Sequence, residues 1–219
     1  MERKTSESSL ANLQKMTNTH YVQINLNSML KGIGEDRTKK ILSSFSCPLN
    51  KDVESFLKYK AIEFSKMGFA RTHLVYWQSE DKSEKELIGY YSLATKSFTL
   101  SKDSVSNSIY KKISHFGTFE PNIGKCVVPA ILIGQLGKNF TDGNDCLIRG
   151  DELLKLAIDR VANIQNDAGG KYTYLECEDV PFLNKFYTDN GFISFGKRSL
   201  DRDETDIRGS YLIQYLKRI

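Results

Sequence analysis

The sequence predicts a mixed α/β (α+β) fold in which helices and strands alternate around one central sheet. Some segments alternate apolar and polar residues, as in Tyr21–Leu26, which is typical of a half-buried strand. Others repeat apolar residues at helical spacing, as in Asp151–Ile164, which is typical of an amphipathic helix. Because no repeat or linker divides the chain, we expect a single domain over residues 21–219, preceded by a flexible extension over residues 1–20.

Capping residues place the helices. Asn50 is a suitable N-cap for a helix over Asp52–Met67, and Gly68 suits the C-terminal end of that helix. Further helices are expected at Asp36–Phe45, Asp151–Ile164 and Val180–Asp189.

Short runs rich in apolar and β-branched residues predict the strands. The charged segment Ser79–Glu86 separates two of these runs and indicates a hairpin. Leu100–Phe119 shows little periodicity and is expected to form a helical turn and a loop. The longer segment Leu100–Lys125 is the expected loop on the substrate side of a site, because long loops carry substrate variation. The expected strands are Tyr21–Leu26, Thr72–Gln78, Leu87–Thr95, Val127–Leu136, Tyr172–Cys177, Phe192–Arg198 and Ser210–Leu216.

Composition excludes two classes of protein. Hydrophobic residues make up 40% of the chain and aromatic residues 11%, which is enough for a packed core and excludes a wholly disordered protein. The 31 basic and 27 acidic residues leave a net charge of +4, which indicates a mixed surface and not a basic arm for nucleic acid.

The cysteines are widely spaced and form no CxxC pair, and the histidines are scattered, so we expect no metal site. Isolated thiols are typical of a reducing compartment. No apolar run approaches the roughly 18 residues of a membrane span, and no N-terminal segment is typical of a signal peptide. We therefore expect a cytoplasmic protein that does not engage a membrane.

One stretch predicts a phosphate-binding site. The buried strand within Val127–Asn139 is followed by a loop, and Gly150 then opens the amphipathic helix. A helix N-terminus offers unpaired backbone N–H groups and the positive end of the helix dipole. This strand–loop–glycine–helix order is therefore suited to a cofactor that carries phosphate.

Four blocks of sequence, taken in order, resemble the GNAT superfamily of N-acetyltransferases, in the form found in phages and mobile elements and similar to its TacT-like toxin branch. The first block has Pro48 where that branch usually has glycine. The blocks are Phe45–Leu57, Leu87–Ala94, Val128–Gly137, and Tyr174–Cys177 together with Phe186–Phe192. The resemblance implies a GNAT-like domain with a mixed, mostly antiparallel sheet flanked by helices, whose fourth and fifth strands splay apart.

The resemblance also implies that acetyl-CoA is the co-substrate, bound between these two strands without a metal. One departure concerns its pyrophosphate loop, since only Gly150 matches the family's pattern of glycines, and Asp145 stands where the family has Arg or Gln. Backbone N–H groups supply most ligands of such a loop, so cofactor binding is still expected. The expected cofactor-binding residues are Gln135, Leu136, Gly137 and Lys138 on the strand, and Ile148, Arg149, Gly150 and Asp151 around the helix start.

Two residues are candidates for catalysis. By resemblance, Tyr187 is the general acid that protonates the leaving CoA thiolate, with packing against the core as the alternative. Glu176 is a candidate general base, with a place in a surface ion-pair network as the alternative. A nucleophilic role for Cys177 is disfavoured because the sequence shows no activating His–Asp arrangement near it, and because cysteine is most often buried as a small hydrophobic residue.

Three functions remain open. The first in rank is acetyl transfer to an amine of a small molecule or a protein, and the second is a toxin that acetylates aminoacyl-tRNA. The third is an acyl-CoA-binding module without transfer activity. The second function would bring tRNA and an antitoxin-like protein as partners. A homodimer is compatible with all three functions. Lysines that a tRNA-binding face would use are Lys39, Lys40, Lys111, Lys112 and Lys125.

Overall fold

A computed structural model describes residues 20–202, 207 and 209–219 of the chain. The predicted N-terminal extension lies outside the described residues, apart from His20 at its end. The α-helices of the described part are α1 (Leu26–Ile33), α2 (Glu35–Ser43), α3 (Lys51–Ser55), α4 (Ala61–Met67), α5 (Asn107–Ser114), α6 (Gly150–Ala168) and α7 (Pro181–Asp189). Its strands are β1 (His20–Asn25), β2 (Arg71–Gln78), β3 (Lys85–Leu100), β4 (Thr118–Glu120), β5 (Lys125–Lys138), β6 (Tyr172–Glu178), β7 (Ile193–Ser199) and β8 (Tyr211–Arg218).

The strands form one 8-stranded mixed sheet in the order β1-β2-β3-β5-β6-β8-β7, with β4 paired to β5. The β5–β6 pair is parallel, whereas β1–β2, β4–β5, β6–β8 and β7–β8 are antiparallel. The parallel pair is short, since its register contains only Ile131 with Thr173 and Leu132 with Tyr174. The predicted mixed α/β fold class is confirmed by this sheet, and the splay of these two strands stays a prediction with which the short pairing agrees.

The predicted helix over Asp52–Met67 is confirmed, with a change of winding inside it. The side chain of Asn50 accepts a hydrogen bond from the backbone N–H of Val53, and Gly68 ends the helix at a left-handed φ of 78°. Between α3 and α4, residues Phe56–Lys60 form a π-helical turn. Cap and stop residues therefore act as predicted, while the interior of the helix is less regular than its periodicity indicates.

Helix α1 was not predicted, because Gly32 and Gly34 resemble chain breakers. The side chain of Asn25 accepts a hydrogen bond from the N–H of Asn27 and starts the helix, and Leu26 is fully buried. Gly34, with a φ of 80°, separates α1 from α2. Gly34 therefore ends this helix, whereas Gly32 lies inside it.

The chain folds as two compact units. The first contains residues up to Ser92 together with Gln135–Lys155, and the second contains Leu93–Gly134 and Leu156–Ile219. The predicted single domain over residues 21–219 stays a prediction. Within the described residues, no helix combines the length and the apolar composition that crossing a membrane requires.

Each unit has its own core. In the first unit, the aromatic rings of Phe45 and Phe56 lie against the fully buried Tyr90, with centroids 5.2 and 6.5 Å from it. In the second unit, Phe98 packs against Tyr174 and Phe195 at 5.5 and 4.8 Å. In the first unit these contacts hold the π-helical turn on β3, and in the second unit they join β3, β6 and β7.

Candidate functional site

The C-terminal end of β5 belongs to the first unit and carries the predicted residues Gln135, Leu136, Gly137 and Lys138. Gly137 is buried, and a Cβ atom added to it would clash with Cγ1 of Val53. Only glycine therefore lets α3 pack directly on this strand. The main chain at Leu136 and Gly137 is held in place by a helix above it, as a backbone oxyanion site requires.

Gln135 takes part in a small polar network on the same strand. Its Nε2 atom donates a 2.9 Å hydrogen bond to Oδ2 of Asp52, in the first turn of α3. Its Oε1 atom lies 3.5 Å from the hydroxyl of Tyr90, which donates its proton to the carbonyl of Val53. The sequence analysis assigned Asp52 only as the start of a helix, because a carboxylate at that position ordinarily interacts with the helix dipole.

The loop after β5 is anchored by Asn139, which the sequence analysis did not select. Its Oδ1 accepts hydrogen bonds from the N–H groups of Ser46 (3.0 Å) and Thr141 (3.2 Å), and its Nδ2 donates to the carbonyl of Leu87 at 2.8 Å. Asn139 is 2% exposed. It is a structural residue that fixes where the loop leaves the strand, and an asparagine directly after a buried strand is its sequence signal.

Lys138 is directed along this loop. Its Nζ donates a 2.9 Å hydrogen bond to the backbone carbonyl of Asp145 and lies 5.8 Å from the ring centroid of Phe140. The loop itself winds as a 3-10 helix over Thr141–Leu147, and Asp142 and Gly143 in it have left-handed φ values of 53° and 76°. The longer loop predicted from the sequence is therefore a compact, wound segment.

Gly150 is the first residue of α6, and the residues around it form the helix start that was predicted to hold pyrophosphate. The N–H of Arg149 donates a 2.8 Å hydrogen bond to Oε2 of Glu152, which is a capping-box contact. The guanidinium of Arg149 pairs with Asp151 through hydrogen bonds of 3.0 and 2.7 Å. Ile148, just before, is buried in an extended conformation.

The ion pair at this helix start can be rearranged at little cost. The side chains of Arg149 and Asp151 are 66% and 41% exposed, and exposed pairs contribute only about 0–1 kcal/mol. Arg149 is thus free to turn from the carboxylate towards a phosphate. The first N–H groups of α6 have no acceptor within the helix and point out of its N-terminus.

The second unit contains both predicted catalytic residues. Tyr187 lies on α7 and is 8% exposed, with its ring 5.9 Å from that of Phe192 and 5.8 Å from that of Tyr215. Within the described residues its hydroxyl makes no hydrogen bond. Burial raises the pKa of Tyr187 far above its ordinary value, and the nearby Cys177 adds to this. The phenol therefore keeps its proton at physiological pH, but a pKa raised far above that of a thiol makes proton transfer to a thiolate unfavourable, which favours the packing alternative.

Glu176 lies on β6 with both carboxylate oxygens engaged. Oε2 accepts a 2.7 Å hydrogen bond from Nε of Arg198, and Oε1 accepts one of 2.8 Å from Nε2 of Gln214. This is the ion-pair network that the sequence analysis kept as the alternative. To accept a proton from an amine, Glu176 would first have to exchange one of these two bonds.

Cys177, the neighbour of Glu176, is 7% exposed, and burial raises the pKa of its thiol to about 12. The thiol is thus protonated at neutral pH, which agrees with the prediction that it is not a nucleophile. Within residues 20–202, 207 and 209–219, no three His, Cys, Asp or Glu side chains are grouped to hold a metal ion.

The predicted cofactor-binding residues therefore lie together in the first unit, at the end of β5 and the start of α6. Within the second unit, Tyr187 and Glu176 are not brought together. In the β6–β8 register Tyr215 is paired with Leu175 and Gln214 with Glu176, so the side chains of Tyr215 and Glu176 point to opposite faces of the sheet. Tyr187 contacts Tyr215, and Glu176 contacts Gln214.

Solved structures share this architecture. A tyrosine-to-phenylalanine mutant of KacT matches with a TM-score of 0.58 and 17% identity, over 90% of this chain and 94% of that chain. AtaT complexed with acetyl-methionyl-tRNAfMet matches with a TM-score of 0.55 and 17% identity, over 89% and 94%. A tyrosine-to-phenylalanine mutant of the AtaT toxin, bound to the C-terminus of the antitoxin AtaR and acetyl-CoA, matches at 0.53 and 14%, over 92% and 93%.

No family model matches the chain, and no curated protein matches it. At these identities the structural likeness concerns the fold. It confirms the GNAT-like fold that the four sequence blocks predicted.

Proposed function

We propose that this protein transfers the acetyl group of acetyl-CoA to the amino group of an aminoacyl-tRNA. The observation that carries the proposal is the short parallel pairing of β5 with β6, limited to Ile131 with Thr173 and Leu132 with Tyr174, in a fold shared with AtaT. The sequence analysis ranked a general amine acceptor first and aminoacyl-tRNA second. The AtaT complexes with acetyl-methionyl-tRNAfMet and with acetyl-CoA favour the second.

In the proposed complex, acetyl-CoA places its pyrophosphate at the start of α6 and its pantetheine along the end of β5. The first N–H groups of α6, around Gly150 and Asp151, bind phosphate oxygens, and Arg149 adds a positive charge. In the second unit, Ile133 and Gly134 continue β5 without a partner on β6, which leaves main-chain groups for the pantetheine amides.

The chemistry is direct transfer. The amine nitrogen attacks the thioester carbon, a backbone N–H at Leu136 or Gly137 stabilises the oxyanion, and the carbon–sulfur bond then breaks. CoA leaves as a thiolate, and by resemblance Tyr187 of the second unit is the acid that protonates it. The amine nitrogen releases its own proton to solvent, and a proton from solvent restores the phenol. Glu176 is retained as a candidate acceptor for that proton, in competition with its structural role.

A basic groove in the second unit supports a polyanionic acceptor. The groove has a volume of about 320 Å³, and its charged lining residues are Lys112, Lys217 and Arg218, with no carboxylate among the residues that line it. Lys111 and Lys112 are exposed in the last turn of α5, where the sequence analysis expected tRNA contacts. Such a surface attracts phosphates and gives salt-dependent binding.

The decisive experiment measures transfer of labelled acetyl from acetyl-CoA to methionyl-tRNA and other aminoacyl-tRNAs, with free amino-acid amides as the competing acceptor class. We expect transfer to aminoacyl-tRNA, and growth arrest when the protein is expressed. Charge reversal of Lys111 and Lys112 should weaken tRNA binding and lower its salt slope by about one unit per lost phosphate contact. Charge reversal of the exposed Lys31 and Lys82 is the matched control.

Two outcomes would contradict the proposed acceptor. Undetectable tRNA binding at low salt, with transfer to amides, would restore the small-molecule or protein acceptor. Acetyl-CoA binding with no transfer to any amine would indicate the binding module. An antitoxin-like partner is part of the proposal, since AtaT binds the C-terminus of AtaR, and co-expression of such a partner should relieve growth arrest.

A further inference from the structure

Asp52 is a half-buried carboxylate without a cationic partner. Oδ2 accepts the hydrogen bond from Gln135, and within the described residues no Lys, Arg or His forms an ion pair with Asp52. Glu54, two residues further on, instead pairs with Lys58 at 2.6 Å. A carboxylate that is partly removed from water and lacks a counter-charge gains most from binding a cation.

Several hydrogen-bond acceptors converge at Asp52. The hydrogen bond from Nε2 of Gln135 to the carboxylate orients the amide, because a carboxylate only accepts. Oε1 of Gln135 receives only the long 3.5 Å contact from Tyr90, whose hydroxyl donates a 2.5 Å hydrogen bond to the carbonyl of Val53. Oδ1 of Asp52 has no partner among the described residues. Both oxygens are thus able to accept hydrogen bonds from a ligand.

This pair lies on a defined face of β5. Side chains alternate along a strand, so the side chain of Gln135 projects to the same face of β5 as a side chain at position 137 would. Val53 covers this face at Gly137. Asp52 precedes Val53 in α3, which places the carboxylate above the strand end where the proposed reaction has its thioester. A ligand at Asp52 would be next to Leu136 and Gly137.

We infer that Asp52 and Gln135 form the binding subsite for the amino group of the acceptor. This inference rests on the proposed function and adds residues that bind the second substrate. The protonated amine donates hydrogen bonds to Oδ1 of Asp52 and Oε1 of Gln135, and it releases one proton to water before its nitrogen attacks. A subsite that contains only acceptors and one negative charge selects a primary amine over a hydroxyl acceptor.

The test compares Asp52→Asn with the wild-type protein. Asparagine keeps the shape of the side chain and its contact with Gln135, but removes the charge. We expect KM for the amine acceptor to rise about 10- to 100-fold, because a charge-assisted hydrogen bond is lost, while the Kd for acetyl-CoA stays unchanged. Gln135→Leu should raise the same KM by a smaller factor.

The matched control is Asp36→Asn, which removes an exposed carboxylate from the first turn of α2. Both variants lose one helix-terminal charge, so both melting temperatures should fall by similar amounts, about 5 °C or less. Only Asp52→Asn should change KM. The pH dependence of acceptor KM should also flatten in that variant, because the preference for the protonated amine is lost.

Measuring transfer to both aminoacyl-tRNA and amino-acid amides distinguishes failure of the subsite from failure of the proposed function. Unchanged acceptor KM in Asp52→Asn, with either aminoacyl-tRNA or amino-acid amides, overturns the subsite. Wild-type transfer to amides but not to aminoacyl-tRNA overturns the proposed acceptor while the role of Asp52 is still measured on the amides. Absence of transfer to both sets overturns the proposed function and the subsite together.

Discussion

Tyr187 and Glu176 lie on opposite faces of the sheet in the second unit. Tyr187 packs on Tyr215, which faces Leu175 in the β6–β8 register, whereas Glu176 bonds the adjacent Gln214. A side chain on one face of a strand pair cannot share a reaction centre with one on the other face unless a strand edge or a splayed end brings them together. The two catalytic candidates therefore make separable predictions.

Replacing Tyr187 by Phe should lower turnover by roughly 10²-fold and leave the Kd for acetyl-CoA unchanged. The ring and its contacts with Phe192 and Tyr215 remain, and only the proton donor is lost. The measurement is single-turnover transfer with labelled acetyl-CoA. Tyr174→Phe removes another buried hydroxyl, from the opposite face, and should have little kinetic effect. Equal rates for wild type and Tyr187→Phe would assign Tyr187 to core packing.

Replacing Glu176 by Gln should mainly reduce stability. The variant leaves the half-buried guanidinium of Arg198, which also pairs with Asp201, with a weaker partner, at a cost of about 1–2 kcal/mol in the free energy of unfolding. Turnover should change by less than about fivefold if the structural role prevails. Urea unfolding and steady-state rates test both points. Asp189→Asn, which breaks the exposed pair with Lys185, should cost almost nothing. A large loss of turnover at full stability would support the general-base role.

Gly137→Ala should destabilise the first unit by about 1–3 kcal/mol, because the new methyl group meets Val53 and overpacks the contact between α3 and β5. Gly134→Ala on the same strand is the control, since its Cβ would lie 3.6 Å from the nearest atom, an ordinary contact. The double variant Gly137→Ala with Val53→Ala should recover part of the loss. Thermal unfolding of all variants measures this coupling, and simple additivity would contradict it.

Gly150→Pro should weaken acetyl-CoA binding with little change in stability. Gly150 is the first residue of α6, a position at which proline fits the helix, but the substitution removes an N–H donor from the proposed pyrophosphate site. Calorimetric titration should show a loss of about tenfold or more in affinity. Gly150→Ala retains the N–H and should bind normally. Equal affinity of the proline variant would place the pyrophosphate elsewhere.

Stability should fall at alkaline pH. Burial raises the pKa values of Tyr76 and Tyr174 to about 12, whereas an unfolded tyrosine ionises near its ordinary value of 10.0. Between these pH values the unfolded chain binds fewer protons than the folded one, so the free energy of unfolding decreases as pH rises. The slope is about 1.4 kcal/mol per pH unit for each such tyrosine. Tyr76→Phe should reduce the slope measured by urea unfolding between pH 10 and 12, and an unaltered slope would contradict its burial as the cause.

The sequence by itself located most of the elements and their order, because capping and periodicity act within a few residues, but α1, α5 and β4 were not predicted. Asn50 and Gly68 bounded their helix correctly, and alternation located the strands. Helix α1 was not predicted because Gly32 and Gly34 are residues that locally favour a loop. In the structure, the burial of Leu26 in the core stabilises a helix there. The order of the four blocks also indicated the fold, through their resemblance to a known superfamily.

Only the tertiary structure decided which side chains meet. Asp52 and Gln135 are 83 positions apart, and nothing in either local sequence indicates the other. Their contact depends on α3 lying directly on β5, which the missing side chain of Gly137 permits. Alternation along β6 already predicts that Glu176 and Cys177 point to opposite faces of the sheet. Which of these two faces α7 covers depends on the path of the chain after β6, and this path has no local signal in the sequence. Long-range packing, which has no local signature, therefore determines the pairing of charges and the face of each candidate residue.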